Sequence, residues 1–228
     1  MFNEEHGAER CVRAVTAVLQ TMKIPSCLFV VDDGSKDETL AILQRLEKLY
    51  KQKLTIISHE HNQGYGAGLA TGIRDAIKRG YEYCIFMDSD LTNSPDFIPK
   101  FVDQIDKGYD CVKASRYIQG GGMVGVPLVR RIFSRVGNSV ASILFDLGIH
   151  DCSNGFRMIR LEMLKDVKFK EKKFSIILEE LYYLKKKGAR CKEIPNILTN
   201  RAIGKTSFSY TPKMVWDYAK YAIKAAFI

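Results

Sequence analysis

Two carboxylates one residue apart, Asp88 and Asp90, sit where the apolar run 85–87 stops. An i, i+2 pair at the carboxyl end of a parallel strand stands at the usual ligand crevice of an open α/β sheet. Hard oxygen donors of this kind suit Mg²⁺ or Mn²⁺ bridging to the oxygens of a diphosphate. Asp and Ser are also common turn residues, so a plain loop accounts for the segment too when it is taken alone. Upstream, VVDDGS at 30–35 ends a second apolar run in Asp32 and Asp33. Acids there accept hydrogen bonds from a base and a ribose, or else form a solvated turn in which Ser35 or Asp37 caps the next helix.

Further along, Gly64, Gly66 and Gly68 precede a helix and permit a ligand to approach the backbone closely. The spacing matches neither a dinucleotide fingerprint nor a P-loop. His59 and His61, in the same loop, read as solvated rather than as metal ligands. Asp151 opens DCSNGFR, where a carboxylate, a turn glycine and Arg157 would suit an acceptor site. Arg116, Arg130, Arg131, Arg157, Arg201 and Lys205 together offer cations for several phosphate oxygens, although each alone is also explained as a surface side chain. Glu179 and Glu180 lie on a helical stretch and balance the lysines at 185–187.

These residues need a scaffold, and the first half of the chain alternates helices with strands. Residues 8–22, 39–50, 67–79 and 97–107 have helical patterns, while 28–31, 54–58, 83–87 and 110–114 read as short buried strands. Such alternation predicts an α/β fold of three layers around a mostly parallel sheet. After the glycines at 120–122 and 125 the rhythm is lost. An amphipathic stretch covers 128–147, a short strand follows Gly155, a helix covers 175–187, and a strand covers 191–194. The tail, 212–228, reads as an amphipathic helix appended to a domain over 1–211. The chain opens on NEE and enters a helix, so either the fold starts on a helix or its first strand is absent.

With 228 residues, 46% of them hydrophobic, the chain can bury a core as one domain with an extension. No run approaches the roughly 18 apolar residues of a membrane span, and no signal-peptide pattern follows Met1. Six scattered cysteines without a CxxC pair read as thiols in a reducing compartment, hence a cytoplasmic location. The net charge of +9 admits nucleic acid, an anionic membrane or a phosphorylated substrate as partner. No nucleic-acid motif accompanies it, so nucleic acid is not expected.

In order along the chain, FNEE, VVDDGSKDET, HNQGYGAGLATGIRDA, MDSDLTNSP, ASRYIQGGG, DCSNGFRMIR, EELYYLKKKGARCKEIP and RAIGK resemble the inverting family 2 glycosyltransferases with the GT-A fold. Within them they look most like the polyprenyl- and dolichol-phosphate mannosyl and glucosyl transferases. The resemblance implies that Asn3, Glu4, Asp32, Asp33 and Gly64 hold the nucleotide of a nucleotide-sugar donor. It makes Asp88 and Asp90 the ligands of Mg²⁺ or Mn²⁺. Arg116, Arg131, Arg157, Arg201 and Lys205 would line the donor and acceptor phosphates, with Asp151 and Glu179 on the sugar or organising the site.

The implied reaction is in-line transfer of mannose from GDP-mannose to a polyprenyl or dolichyl phosphate. That acceptor is largely ionised near neutral pH and needs little base. Stretch 128–147 would lie in the surface of a membrane, making the protein peripheral at its cytoplasmic face. One alternative is a family 2 enzyme using UDP-glucose or UDP-N-acetylglucosamine with a lipid or glycan acceptor, and another is an inactive membrane-associated remnant. Against the resemblance, the apolar strand expected before FNEE is missing, which points to an incomplete gene product or a misassigned start. Thr206 and Ser207 stand where a Ser-Lys pair is common, and no membrane helices follow.

Overall fold

β1 (Leu28–Asp32) and β2 (Leu54–Ser58) form where short runs rich in Val, Ile and Leu are cut off by polar turns. They pair in parallel, Leu28 opposite Leu54. α1 (Ala8–Thr21) precedes them and buries Ala8, Cys11, Val12, Val15 and Leu19, the three-to-four spacing of a one-sided helix. α2 (Thr39–Tyr50) joins the two strands and turns Leu43 and Leu46 inward. The computed structural model describes residues 1–199 and 212–228.

The chain continues through α3 (Tyr65–Lys78), β3 (Tyr83–Phe86), α4 (Ile98–Val102), β4 (Cys111–Ser115), β5 (Gly122–Met123) and α5 (Leu128–Phe145). It then makes β6 (Arg157–Arg160), α6 (Ile176–Lys186), β7 (Cys191–Pro195), β8 (Ile197–Leu198) and α7 (Pro212–Ala225). The main sheet has the order β3-β6-β4-β7. β4 and β7 are parallel, while β6 lies antiparallel between β3 and β4. The expected parallel sheet therefore contains one reversed strand drawn from much later in the chain. β5 and β8 form a separate parallel pair.

Two helical layers cover the sheet. α1 and α4 pack Val15, Leu19, Ile98 and Phe101 against Val112, Ala114 and Met158. On the opposite face α3, α6 and α7 pack Ile73, Leu181, Leu184 and Ala222 against Cys111 and Ile159. Alternate residues of β4 and β6 thus serve opposite cores, as a strand buried on both faces requires. The helix expected over 97–107 is shorter than its pattern suggests. It comprises only the five residues of α4, followed by a 3-10 turn, Ile105–Lys107, that Gly108 closes at φ 72°.

α5 is amphipathic, as its sequence predicts, and leaves Val129, Ile132, Phe133, Val136, Val140 and Ile143 exposed. No described helix is long and apolar enough to cross a membrane.

An ion pair lies inside the second core. Arg157 on β6, 1% exposed, donates from Nε and Nη2 to the two Glu180 carboxylate oxygens of α6, at 2.5 and 2.6 Å. Its guanidinium also stacks 4.2 Å from the Phe86 ring centroid. Burial works to lower the guanidinium pKa, but the Glu180 charge overrides it and leaves the group above its ordinary value. Removing one partner of such a pair strands a buried charge. Glu180→Ala is therefore expected to destabilise the fold by about 3–5 kcal/mol in urea unfolding, while Arg157→Met with Glu180→Leu recovers most of that loss.

Candidate active site

Three strand ends bring the chemistry together. Asp32 and Asp33 stand at the end of β1, Asp88 and Asp90 follow β3, and Arg116 follows β4. A continuous cavity of about 1520 Å³ opens beside them, lined among others by Asn3, Glu4, Asp33, Gly64, Asp88, Asp90 and Arg116. Residues singled out from distant parts of the sequence thus share one cleft.

At the β1 end the acids organise backbone. Asp33 accepts from the amides of Gln63 and Gly64 at 2.9 and 2.8 Å and pairs with His59 Nδ1 at 2.7 Å. His59 Nε2 meets Thr71 Oγ1 at 3.0 Å, so this histidine is a buried brace. Gly64 adopts φ 100°, and a Cβ there would lie 2.4 Å from the Lys172 carbonyl oxygen. Asp32 is fully buried and accepts from the amide and hydroxyl of Ser35. The NEE segment is clipped onto the same turn: Asn3 Oδ1 accepts from the Lys36 amide, and the Glu4 amide donates to Thr39 Oγ1.

At the β3 end the backbone is strained. Leu91, directly after Asp90, sits at φ 56°, a conformation costly for a branched side chain and often found at functional sites. Asp90 Oδ1 accepts from the amide and hydroxyl of Thr92, at 3.0 and 2.8 Å. Asp88 Oδ1 accepts from the Tyr65 hydroxyl at 3.2 Å. Burial, reinforced by the Asp88 charge, raises the Tyr65 pKa well above its usual value, so Tyr65 stays a neutral phenol whose O–H donates to Asp88. Gly155 lies against Asp88, where a Cβ would come within 3.3 Å of Oδ2.

The all-oxygen pair Asp88 and Asp90 fits Mg²⁺ or Mn²⁺, which keep water and substrate phosphate as their remaining ligands. Among the described residues no group of three or more His, Cys, Asp or Glu side chains could hold a metal ion. A cation here would accordingly depend on the ligand's own oxygens.

The other expected residues stand apart from the cleft. Asp151 is buried and clamps Arg116 bidentately, both contacts at 2.7 Å. Arg157 points into the core, as described, rather than at a phosphate. Glu179 is buried as well and accepts from the amides of Lys170 and Glu171. Arg131 is not among the lining residues, whereas its neighbour Arg130 is. Arg201 and Lys205 lie outside the described residues.

Sequence reasoning gave no role to Tyr65 or Asn154 and took Gly155 only as the turn glycine of an acceptor segment. Lys113, itself buried, donates to the Asn154 carbonyl at 2.7 Å, and Arg157 Nη1 donates to the Gly155 carbonyl at 2.6 Å. Two internal cations therefore hold the backbone that backs Asp88. The turn glycine of DCSNGFR was the available signal, but its neighbour across the cleft was not visible in one dimension.

A family model described as Glycosyl transferase family 2 matches residues 1–168. A polyprenol monophosphomannose synthase of Mycolicibacterium smegmatis is 28% identical over 202 residues, covering 86% of this chain and 76% of that relative. A dolichol-phosphate mannosyltransferase of Pyrococcus furiosus is 28% identical over 222 residues, and the match spans 96% of this chain but only 60% of that relative.

Among solved structures, glucosyl-3-phosphoglycerate synthase from Mycobacterium tuberculosis, in complex with Mn²⁺, UDP-glucose and phosphoglyceric acid, aligns at TM-score 0.69 and 18% identity. The alignment covers 100% of this chain and 78% of that one. The same enzyme with Mg²⁺ and UDP aligns at 0.69 and 18%, covering 100% and 77%. These likenesses show the fold, a three-layer α/β GT-A architecture.

They also correct the narrower sequence expectation. Solved structures that match the whole chain include complexes of that enzyme with Mn²⁺, UDP-glucose or UDP, and phosphoglyceric acid. Transfer of mannose to a polyprenyl or dolichyl phosphate is set aside on that finding. Peripheral attachment at the cytoplasmic face of a membrane falls with it, because that call rested on the lipid acceptor. The UDP-sugar alternative fits better.

Close packing at Asp88 gives a direct test. Gly155→Ala is expected to weaken Mn²⁺ binding in the presence of UDP roughly tenfold, about 1.4 kcal/mol, by calorimetry. Gly137→Ala, on α5 with open space around it, leaves binding unchanged.

Proposed function

Since the chain belongs to glycosyl transferase family 2, we propose that it transfers glucose from UDP-glucose to a small phosphorylated acceptor of the phosphoglycerate kind, with a divalent cation. The observation that carries this reading is the meeting in one cleft of the Asp88/Asp90 pair, the β1 turn and Arg116. The domain over 1–211 does the chemistry, and the helix in 212–228 docks on it through Tyr221, Ala222 and Ala225.

In this reading the nucleotide lies along the β1 end. Asn3 and Glu4 face the uracil and ribose, buried Asp32 holds the Ser35 turn behind them, and Asp33 shapes the amides of Gln63 and Gly64 into a wall beside them. Asp88 and Asp90 hold Mg²⁺ or Mn²⁺, which would neutralise charge on the departing diphosphate. Tyr65 fixes the rotamer of Asp88 by its donated hydrogen bond. Arg116 and Arg130 supply positive guanidinium charge to the phosphates of donor and acceptor. Asp151 acts through Arg116 by holding its fork in one orientation.

Calorimetry with UDP-glucose and GDP-mannose, each with Mn²⁺ and with EDTA, tests the donor, and product formation on 3-phosphoglycerate tests the acceptor. UDP-glucose is expected to bind only with metal, and Asp90→Asn to lose at least roughly tenfold in affinity, about 1.4 kcal/mol. Metal-dependent binding of GDP-mannose without UDP-glucose would overturn the proposal.

A further inference from the structure

Glu193 is a buried carboxylate outside the cleft. It lies on β7, and its side chain is 4% exposed. A buried charge is costly unless it is compensated. The strand register sets Glu193 opposite Lys113, and Lys113 opposite Arg157, in one row across β7, β4 and β6. Strand partners so paired carry their side chains on the same face of the sheet. The acid therefore sits in line with the two internal cations.

Each member of the row holds one point of the 151–155 segment. Lys113 and Arg157 donate to the carbonyls of Asn154 and Gly155, and Glu193 Oε1 accepts from the Asp151 amide at 2.8 Å. The other Glu193 oxygen meets His150 Nδ1 at 2.8 Å. That histidine side chain is 63% exposed, so solvent weakens the pairing and leaves the Asp151 amide as the consequential partner.

Asp151 carries this contact towards the cleft. Its carboxylate takes three donors from Arg116: the backbone amide at 2.9 Å, Nε at 2.7 Å and Nη2 at 2.7 Å. One methylene joins that carboxylate to the backbone that Glu193 holds, so the aim of the carboxylate follows the backbone. Arg116 in turn lines the cleft with Asp88 and Asp90. Nη2 of the same fork reaches Ser153 Oγ at 3.1 Å, and Asn138 of α5 bonds both the amide and the hydroxyl of Ser153. The 151–153 segment is thus restrained from α5 on one side and from β7 on the other.

We infer that Glu193 is a positioning residue: through the Asp151 amide it sets the carboxylate that orients the Arg116 guanidinium in the cleft. The inference rests on the proposed function only in giving Arg116 a phosphate to meet; the orientation itself does not. Glutamate suits the task for two reasons. A charged acceptor binds an N–H more strongly than a neutral one. Its charge also offsets Lys113 in the same row, which a neutral acceptor cannot do.

The test reads the Arg116 Nε proton by NMR of the ¹⁵N-labelled full chain, assigned from its disappearance in Arg116→Lys. Its hydrogen exchange is slow while the guanidinium stays docked on Asp151. Glu193→Gln, which keeps an acceptor but removes the charge, is expected to speed that exchange roughly threefold, and Glu193→Leu roughly tenfold or more. Leu43→Ala, in the separate core beneath β1 and β2, gives the change due to lost stability alone. Exchange at Arg116 no faster in the Glu193 variants than in Leu43→Ala would overturn the inference, and Glu193→Gln decides should Glu193→Leu fail to fold. Product formation from UDP-glucose and 3-phosphoglycerate with Mn²⁺ is followed on the same samples. Faster Arg116 exchange in the Glu193 variants, with no product even from the unaltered chain, upholds the inference and overturns the proposed function instead.

Discussion

The site depends on two cations that never reach it. Lys113 and Arg157 face each other across the β4–β6 ladder, buried, and each gives a donor to backbone, Lys113 to the Asn154 carbonyl and Arg157 to the Gly155 carbonyl. Charges so placed are costly unless compensated. Glu180 compensates Arg157, but Lys113 lies beside that second cation, and burial together with Arg157 pulls its pKa down. The return on this arrangement is a rigid 154–155 backbone pressed against Asp88.

A division of labour among the carboxylates follows. Asp33 and Asp151 act on protein groups, one fixing amides and the other fixing a guanidinium, while Asp88 and Asp90 line the cleft at the β3 end. Glu179 and Glu180, adjacent on α6, have no direct part in the cleft: one secures the 170–171 loop and the other Arg157. Acidic residues that look alike in the sequence are thus sorted by what surrounds them.

Much of this could be read in advance. Each expected strand of the first half forms within about a residue of its predicted span, because short apolar runs bounded by turns need no distant partner to be recognised. The Asp88/Asp90 pair and the NEE and VVDDGS segments also meet as anticipated. Arg157 was misjudged for an instructive reason. Its type suits phosphate, and only the position of Glu180, 23 residues away, reveals it as half of an internal pair. The reversed β6 was equally hidden, since the sequence RMIR states that a strand forms but not between which neighbours.

The placement of β6 also governs when this protein can fold as it is made. Among the described residues β3 and β4 have no direct ladder with each other; they are joined through a strand that ends 45 residues after β4, at Arg160 rather than Ser115. At a translation rate of about 5–20 residues per second, the ribosome takes roughly 2–9 s to add those residues. During that interval the edges of β3 and β4 are presented to the chaperones and nascent chains around them. The order of the sheet thus makes the early life of the polypeptide a period of exposure, one that ends only when the segment carrying Gly155 and Arg157 emerges.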